Sequence, residues 1–545
     1  MNKTKKILSL TTAVLTGLLP LSACKPKISD DENTLEIYIT EAGYGKVWLE
    51  RLEKIFEEEN PGVSVEITSD KGVQLANTKV TSGPSINTAD LIFSLEDWDT
   101  IVASGKNGVS GYDYALADMT EFLDKKIDGV ALKEKFRDYY LDSLGIELEA
   151  FDWEPHYFAL PWAASATGIV YNVSLFEEKG WELPRTSNQL VSLAETVKQA
   201  GYTPFCNETA TGYMGYIIAA FWAQYDGADY YYDYINPVAE EDWIEYSDKP
   251  SSNGRLYAMM VAEELYNKDA GLLSATAQED DYGRAQGRLV SVQGAMAVNG
   301  DWFDNEMSLT IQQANASGNN YKSGMMKTPV ISAIVDQLDF WAKEYGAEAS
   351  YHDKIGDPPV TPYVETFDAY LADLVDYADG KTQTIPTITV NGTTYTATQK
   401  DIQTVSAARK CHRSLGSGHT VVIPSYATAK EAAFKFLELF YSDRGAEIFI
   451  DETKGGLLPV KYDVTGWSGY QNATKFQKDV FSMIEDGTPI AFPSARFFSL
   501  PQASEGKYYQ YSKSDKNYKS AHQEFESASW TKQRFIDFMI SMGLM

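Results

Sequence analysis

The chain has 545 residues, 44% of them hydrophobic, and carries a formal charge of −30 from 77 acidic and 47 basic side chains. That length exceeds what one hydrophobic core serves and predicts two or three compact units. So acidic a surface repels a phosphate backbone, whose binding rests on lysine and arginine displacing counterions, and excludes nucleic acid as a partner.

The N-terminus reads as an export signal: Lys3, Lys5 and Lys6 precede an apolar stretch from Ile7 to Leu21, too short and too interrupted by Gly17 and Pro20 for a spanning helix. It ends in Leu21-Ser22-Ala23-Cys24, which resembles the bacterial lipobox. The resemblance implies cleavage after residue 23, lipid on Cys24, and a polar leader over 24–34 that tethers the mature protein to the outer face of a membrane, two acyl chains making a stable anchor. Cys206 and Cys411 are then the remaining cysteines, open to pairing or to burial as free thiols.

"TLEIYIT" alternates Leu35, Ile37 and Ile39 with polar residues as a strand does, and Trp48, Leu52, Ile55 and Phe56 mark one face of a helix stopped by Asn60-Pro61-Gly62. "VSVEI" alternates again, which completes a βαβ unit and favours a parallel sheet covered by helices. "LIF" at 91–93 and "GIVYN" at 168–172 read as further buried strands. Thr186 and Gln189 have the spacing of a capping box ahead of a helix whose apolar stripe is Leu190, Leu193, Ala194 and Val197. The tyrosine-rich, acidic stretch 226–250 reads as a surface insertion, "TIPTITVNGTTYTAT" as a hairpin turning at Asn391-Gly392, and "AKEAAFKFLELFYSDRG" as an amphipathic helix.

The five histidines form no HExxH, so no metal site is indicated, and no cofactor is expected. Gly416-Ser417-Gly418-His419 lacks the G-x-S-x-G elbow and reads as a loop; Gly43-Tyr44-Gly45 lacks the lysine of a phosphate loop. The informative excess is aromatic: 35 tyrosines, 24 phenylalanines and 11 tryptophans. Flat rings beside carboxylates and amides suit the C–H faces and hydroxyl rims of sugars, although many of these rings must be core.

Four segments, "YFALPWAASATGIVYNVSLFEEKGW", "GAMAVNGDWFDNEM", "MMKTPVIS" and "IPSYATAKEAAFKFLELFYSDRGAEIFIDETKGGLLPV", in this order, resemble the extracellular solute-binding lipoproteins of ABC importers, the carbohydrate-binding family that includes maltose-binding protein. The resemblance implies an α/β fold of two periplasmic-binding-protein-like lobes with a ligand cleft between them and three hinge crossings, expected near 161–168, 325–332 and 441–445. Lobe 1 is then 35–163 with 330–441, and lobe 2 is 164–329 with 442–545. Cys206 and Cys411 would fall in different lobes, where a disulfide would lock the hinge, so both thiols are expected free.

The same resemblance nominates a ligand site. "NGDW" stands where the family has Asn-Gly-Pro-Trp with a stacking tryptophan, which makes Trp302 the first platform and Asp301 either an acceptor of sugar hydroxyls or a helix cap. Asp97 matches a sugar-binding aspartate; Trp98 compensates for the stacking tryptophan replaced by Ser94. Ser165 stands at the place of a sugar-binding glutamate beside Trp162, and Glu41 and Tyr44 follow the first strand. Tyr213, Trp222 and Arg496 complete the set. The expected function is capture of a carbohydrate, an oligosaccharide above all, by a monomeric protein that delivers it to the importer's permease. The rivals are a surface polysaccharide-acting enzyme, a binder of another solute, and an adhesin on the same fold.

Overall fold

The computed structural model describes residues 32–41, 43–70, 76–96, 98, 101–102, 104–137, 139–141, 144–146, 149–152, 154–209, 212–235, 253–355, 363–414, 419–490, 508 and 510–528. Cys24, Asp97 and Arg496 lie outside them, as do 236–250 of the tyrosine-rich stretch.

The opening βαβ unit forms as its periodicity predicts. Strand β1 (Thr34–Thr40) pairs in parallel with β2 (Ser64–Asp70) on one side and β3 (Leu91–Ser94) on the other. Helix α1 (Val47–Glu59) between β1 and β2 buries Trp48, Leu49, Leu52 and Phe56. The short strand β4 (Leu160–Pro161) lies at the far edge of this sheet, and β5 (Thr167–Asn172), buried along its whole length, opens another. Residues 162–166 therefore connect the two sheets.

Thr186 caps α2 (Ser187–Gln199) by accepting the Gln189 N–H at 3.1 Å. The Gln189 side chain reaches back to the Arg185 N–H at 2.9 Å, one residue earlier than a capping box requires. Strand β6 (Thr203–Phe205), the buried helix α3 (Gly215–Asp226), helix α4 (Asn253–Tyr266) and strands β7 (Gly294–Gly300) and β8 (Ser323–Met326) follow. The second sheet has the order β8-β5-β7-β6, antiparallel except for the parallel β6–β7 pair.

The next segment departs from the expected lobe division. Val330 bridges Thr186, the Ile331 N–H donates to Gln224 of α3 at 2.8 Å, and Asp336 accepts from Tyr225 of α3 at 2.9 Å. Helices α5 (Tyr363–Ala378) and α6 (Gln399–Lys410) pack against each other, α5 against residues 332–337 and α6 against α3. Between them lies the hairpin of β9 (Thr387–Val390) and β10 (Thr393–Thr396), whose turn residues Asn391 and Gly392 both have positive φ, 48° and 83°, as a type I′ turn demands. Strand β11 (Cys411–Arg413) lies beside β5, where the Thr167 hydroxyl donates to the Arg413 carbonyl at 2.9 Å.

Only with β12 (Thr420–Val422), antiparallel between β3 and β4, does the chain return to the first sheet. Residues 330–413, expected in lobe 1, thus pack with the second sheet. The physical reason is that α6 and residues 332–337 pack against α3, with α5 against both of them, while the strand that rejoins the first sheet comes some ninety residues after "MMKTP".

"AKEAAFKFLELFYSDRG" is two helices, α7 (Lys430–Phe440) and α8 (Asp443–Glu452), because Ser442 stops the first and caps the second through the Gly445 N–H at 3.1 Å. Both pack on α1. Helix α9 (Lys475–Asp486) packs on β8, and β13 (Thr488–Ile490) runs parallel to β11. Residues 162–166 lie between β4 of the first sheet and β5 of the second, and α8 packs on the first-sheet side while α9 packs on the second.

Cys206 and Cys411 are free and buried. Both belong to the second-sheet side, so the expected reason, a lock across the hinge, does not apply. Burial pushes both thiols up to about 12. Both are expected to resist iodoacetamide in the native protein and to react once it is unfolded in urea; rapid native alkylation of either would contradict their burial.

Candidate functional site

The ends of β1, β4, β7 and β12 meet where the two sheets face one another, and the local sequence explains how. The turn after β1 carries Gly43, whose missing side chain leaves room for Trp302: a Cβ there would stand 2.6 Å from that ring. Gly300, at the end of β7, is likewise covered by the Trp302 ring. The Asn305 amide ties the two turns together by donating to the Gly43 carbonyl at 2.7 Å. A glycine on each side thus lets a bulky indole settle between two backbones.

Tyr44 stands at the centre. Its hydroxyl donates to Asp301 Oδ1 at 3.1 Å and Oδ2 at 2.9 Å. Its ring meets Trp162 edge-on at 5.5 Å, His419 at 5.5 Å and Trp302 at 6.5 Å. Trp162 is fully buried, stacks on Trp48 at 5.7 Å, donates from Nε1 to the Ser94 carbonyl at 2.9 Å and meets His419 at 5.1 Å. Ser165 Oγ is buried beside Tyr44 and Asp301. Tyr213, half-buried, faces Trp302 at 6.2 Å and Tyr216 at 5.3 Å.

Asp301 is 1% exposed. Its carboxylate also accepts the Ala166 N–H at 3.1 Å, and its own N–H donates to the Ala166 carbonyl at 3.0 Å. Burial raises its pKa to about 7, against the opposing bonds from Tyr44 and Ala166. Desolvation, reinforced by the Asp301 charge, holds the Tyr44 hydroxyl well above its ordinary range.

Asp301 is expected either to cap a helix or to accept sugar hydroxyls. It is not a helix cap, since the helix Phe303–Glu306 starts at Trp302 with no side-chain cap bond. In this arrangement its carboxylate is buried and its oxygens are held by protein donors. Trp302 is 5% exposed and enclosed by Gly43, Gly300, Tyr44 and Tyr213 rather than open as a platform.

Tyr44, Trp162, Ser165, Tyr213, Asp301 and Trp302 are thus brought together; the other described candidates are not. Trp222 is core within α3, donating to Asp226 at 2.7 Å and packing against Tyr231 at 4.9 Å. Trp98 is buried on the other face of the first sheet, with Nε1 donating to Thr420 Oγ1 at 2.9 Å. Glu41 is half-buried at the end of β1 and accepts from Ser69 at 2.6 Å. His419, Trp48 and the glycine pair Gly43 and Gly300 were not singled out for this site. Only the two glycines carry a sequence signal, as small residues flanking aromatic ones on successive turns. Among the described residues no group of three or more His, Cys, Asp or Glu could hold a metal ion, and no helix is long and apolar enough to cross a membrane.

The chain belongs to the family of bacterial extracellular solute-binding proteins, whose pattern residues 38–447 match. It is 26% identical over 312 residues to the multiple sugar-binding protein of Streptococcus mutans serotype c; the match takes in 55% of this chain and 65%, just under two thirds, of that relative. Among solved structures it resembles a chitin oligosaccharide binding protein (TM-score 0.55, 14% identity, 94% of this chain and 100% of the other). It also resembles the GacH receptor of Streptomyces glaucescens (TM-score 0.55, 14% identity, 91% and 96%). A third likeness is to Lmo0181 of Listeria monocytogenes, an ABC substrate-binding protein solved with cycloalternan (TM-score 0.53, 14% identity, 94% and 100%). At these identities the likeness is one of fold: two α/β lobes, here built on the two sheets. The family is one of solute-binding proteins, so the enzyme rival falls.

Proposed function

We propose that this protein captures a carbohydrate, an oligosaccharide above all, between its two lobes and presents it to the permease of an ABC importer. The observation that carries the reading is the convergence of aromatic and polar side chains between the two sheets of a chain that matches the solute-binding family over 38–447. The names of the relatives, a multiple sugar-binding protein and a chitin oligosaccharide binding protein, support a saccharide as the solute. In this reading the lobes are residues 34–161 with 420–452, and 167–413 with 475–490, joined through 162–166, 414–419 and 453–474; the sheet orders and helix packing support it.

Capture works through closure. A guest that contacts both lobes favours the closed arrangement by the difference in its affinity for the two states, and no more. When the lobes part, Trp302 comes free of Gly43 and Tyr44, and it and the neighbouring Tyr213 offer their faces to sugar rings. The lipobox at Cys24 supports a lipid anchor on the extracytoplasmic side of the membrane for a monomeric protein.

A thermal-shift screen over sugars, peptides and polyamines identifies the guest, because a ligand of the native state raises the melting temperature. With that guest, Trp302→Ala is expected to weaken binding by about 1 to 3 kcal/mol in calorimetry. Unchanged affinity would remove Trp302 from the site, and a screen in which only peptides or polyamines raise the melting temperature would overturn the sugar reading.

A further inference from the structure

The hydrogen bond between Tyr44 and Asp301 joins the turn after β1, in the first lobe, to the end of β7, in the second. The Asn305–Gly43 bond and the packing of Trp302 on Gly43 lie beside it. What distinguishes the pair is the neutrality of everything that serves the carboxylate. Its donors are a phenol and a backbone amide. Ser165, from the connection between the sheets, is a third neutral neighbour.

The other titratable groups packed around the pair are Tyr140, whose hydroxyl accepts from Ser414 at 3.5 Å, and His419 against the Tyr44 ring. Arg137 acts on Tyr140 and stands behind it, paired to Glu485. A carboxyl withdrawn from water into such surroundings favours its protonated form, and regains its ordinary acidity when water returns. Parting the lobes returns water to this one.

We propose that Tyr44 and Asp301 are positioning residues that tie closure of the lobes to uptake of a proton, so that the closed arrangement is favoured in acid. The raised pKa of Asp301, about 7 in the closed structure, gives the window. A carboxyl whose pKa is higher closed than open contributes fully below the open value of about 4. That contribution fades as pH rises through about 7, by up to about tenfold in the closed-to-open ratio per pH unit. This inference rests on the two-lobe capture reading, but its test needs no sugar.

Small-angle scattering of the ligand-free protein at pH 5, 6, 7 and 8 reads closure directly. Wild type is expected to be more compact at pH 5 than at pH 8. Asp301→Asn, a neutral isostere of the protonated acid, is expected to stay compact at every pH, and Tyr44→Phe to be less compact than wild type at pH 5. A wild-type radius of gyration that ignores pH, or an Asp301→Asn protein that keeps the wild-type response, overturns the proposal. Failure of every sugar to bind would instead sink the capture reading and leave the scattering result standing.

Discussion

Trp162→Ala is expected to lower the stability of the protein by about 3 to 5 kcal/mol, the usual loss when a large buried aromatic is truncated. The indole is fully buried, stacks on Trp48 and is met edge-on by Tyr44, Phe93 and His419, so its removal leaves a cavity that those rings cannot all move to fill. It also leaves the buried Ser94 carbonyl without the Nε1 donor that meets it at 2.9 Å. Trp162→Phe keeps much of the packing while losing that bond, and is expected to cost about 1 to 3 kcal/mol. Urea unfolding followed by circular dichroism checks both. A loss under about 1 kcal/mol for the alanine variant would mean that the ring is not the keystone its contacts describe.

The second large effect is in pH. Burial lifts Asp301 to about 7, and Asp304, Asp336 and Asp368 each to about 6. In the unfolded chain all four return to about 3.9. Their folded values are raised, so the stability they lend is fully present below about 3.9 and lost as pH rises through 6 to 7. His412 works the other way. Burial lowers it to about 4, so its contribution is present above its unfolded value of 6.5 and lost as pH falls through about 4.

At pH 5 the folded chain therefore holds up to four protons on carboxyls that the unfolded chain releases, against one on His412 that only the unfolded chain holds. Stability is expected to rise by on the order of 3 kcal/mol as pH falls from 7.5 to 5. Partial neutralisation of a chain with a charge of −30 adds to the same trend. Urea midpoints at pH 5, 6, 7 and 8 test this, with Asp368→Asn expected to flatten the profile. A midpoint that is highest at pH 8 would refute the assignment of these four buried acids.

Elements whose information is local were legible from the residues alone. The βαβ unit follows from alternation at Leu35, Ile37 and Ile39 and from the stripe Trp48, Leu52 and Phe56, and the type I′ turn follows from Asn391-Gly392. The helix start at Thr186 was legible too, though Gln189 closes its loop on Arg185 rather than on Thr186. The break between α7 and α8 escaped because Ser442 interrupts an apolar stripe that continues on either side of it.

The lobe division is not legible in the residues for a related reason. "MMKTPVIS" and "IPSYATAKEAAF" each fit the family's pattern, but nothing in their residues tells how many helices the chain places between the last strand of one sheet and the first return to the other.

By itself the sequence determined the family and the local strand and helix units, and it nominated Tyr44, Trp162, Ser165, Tyr213, Asp301 and Trp302 among other candidates without recording which of them meet. Only the tertiary structure decided which of the nominated rings are core, as Trp98, Trp162 and Trp222 are, and what Asp301 is bonded to. The reason is distance along the chain. An aromatic residue shows its period to its neighbours within a turn or a strand, but its exposure is set by partners such as Tyr44 and Asp301, 257 residues apart, whose meeting no local pattern records.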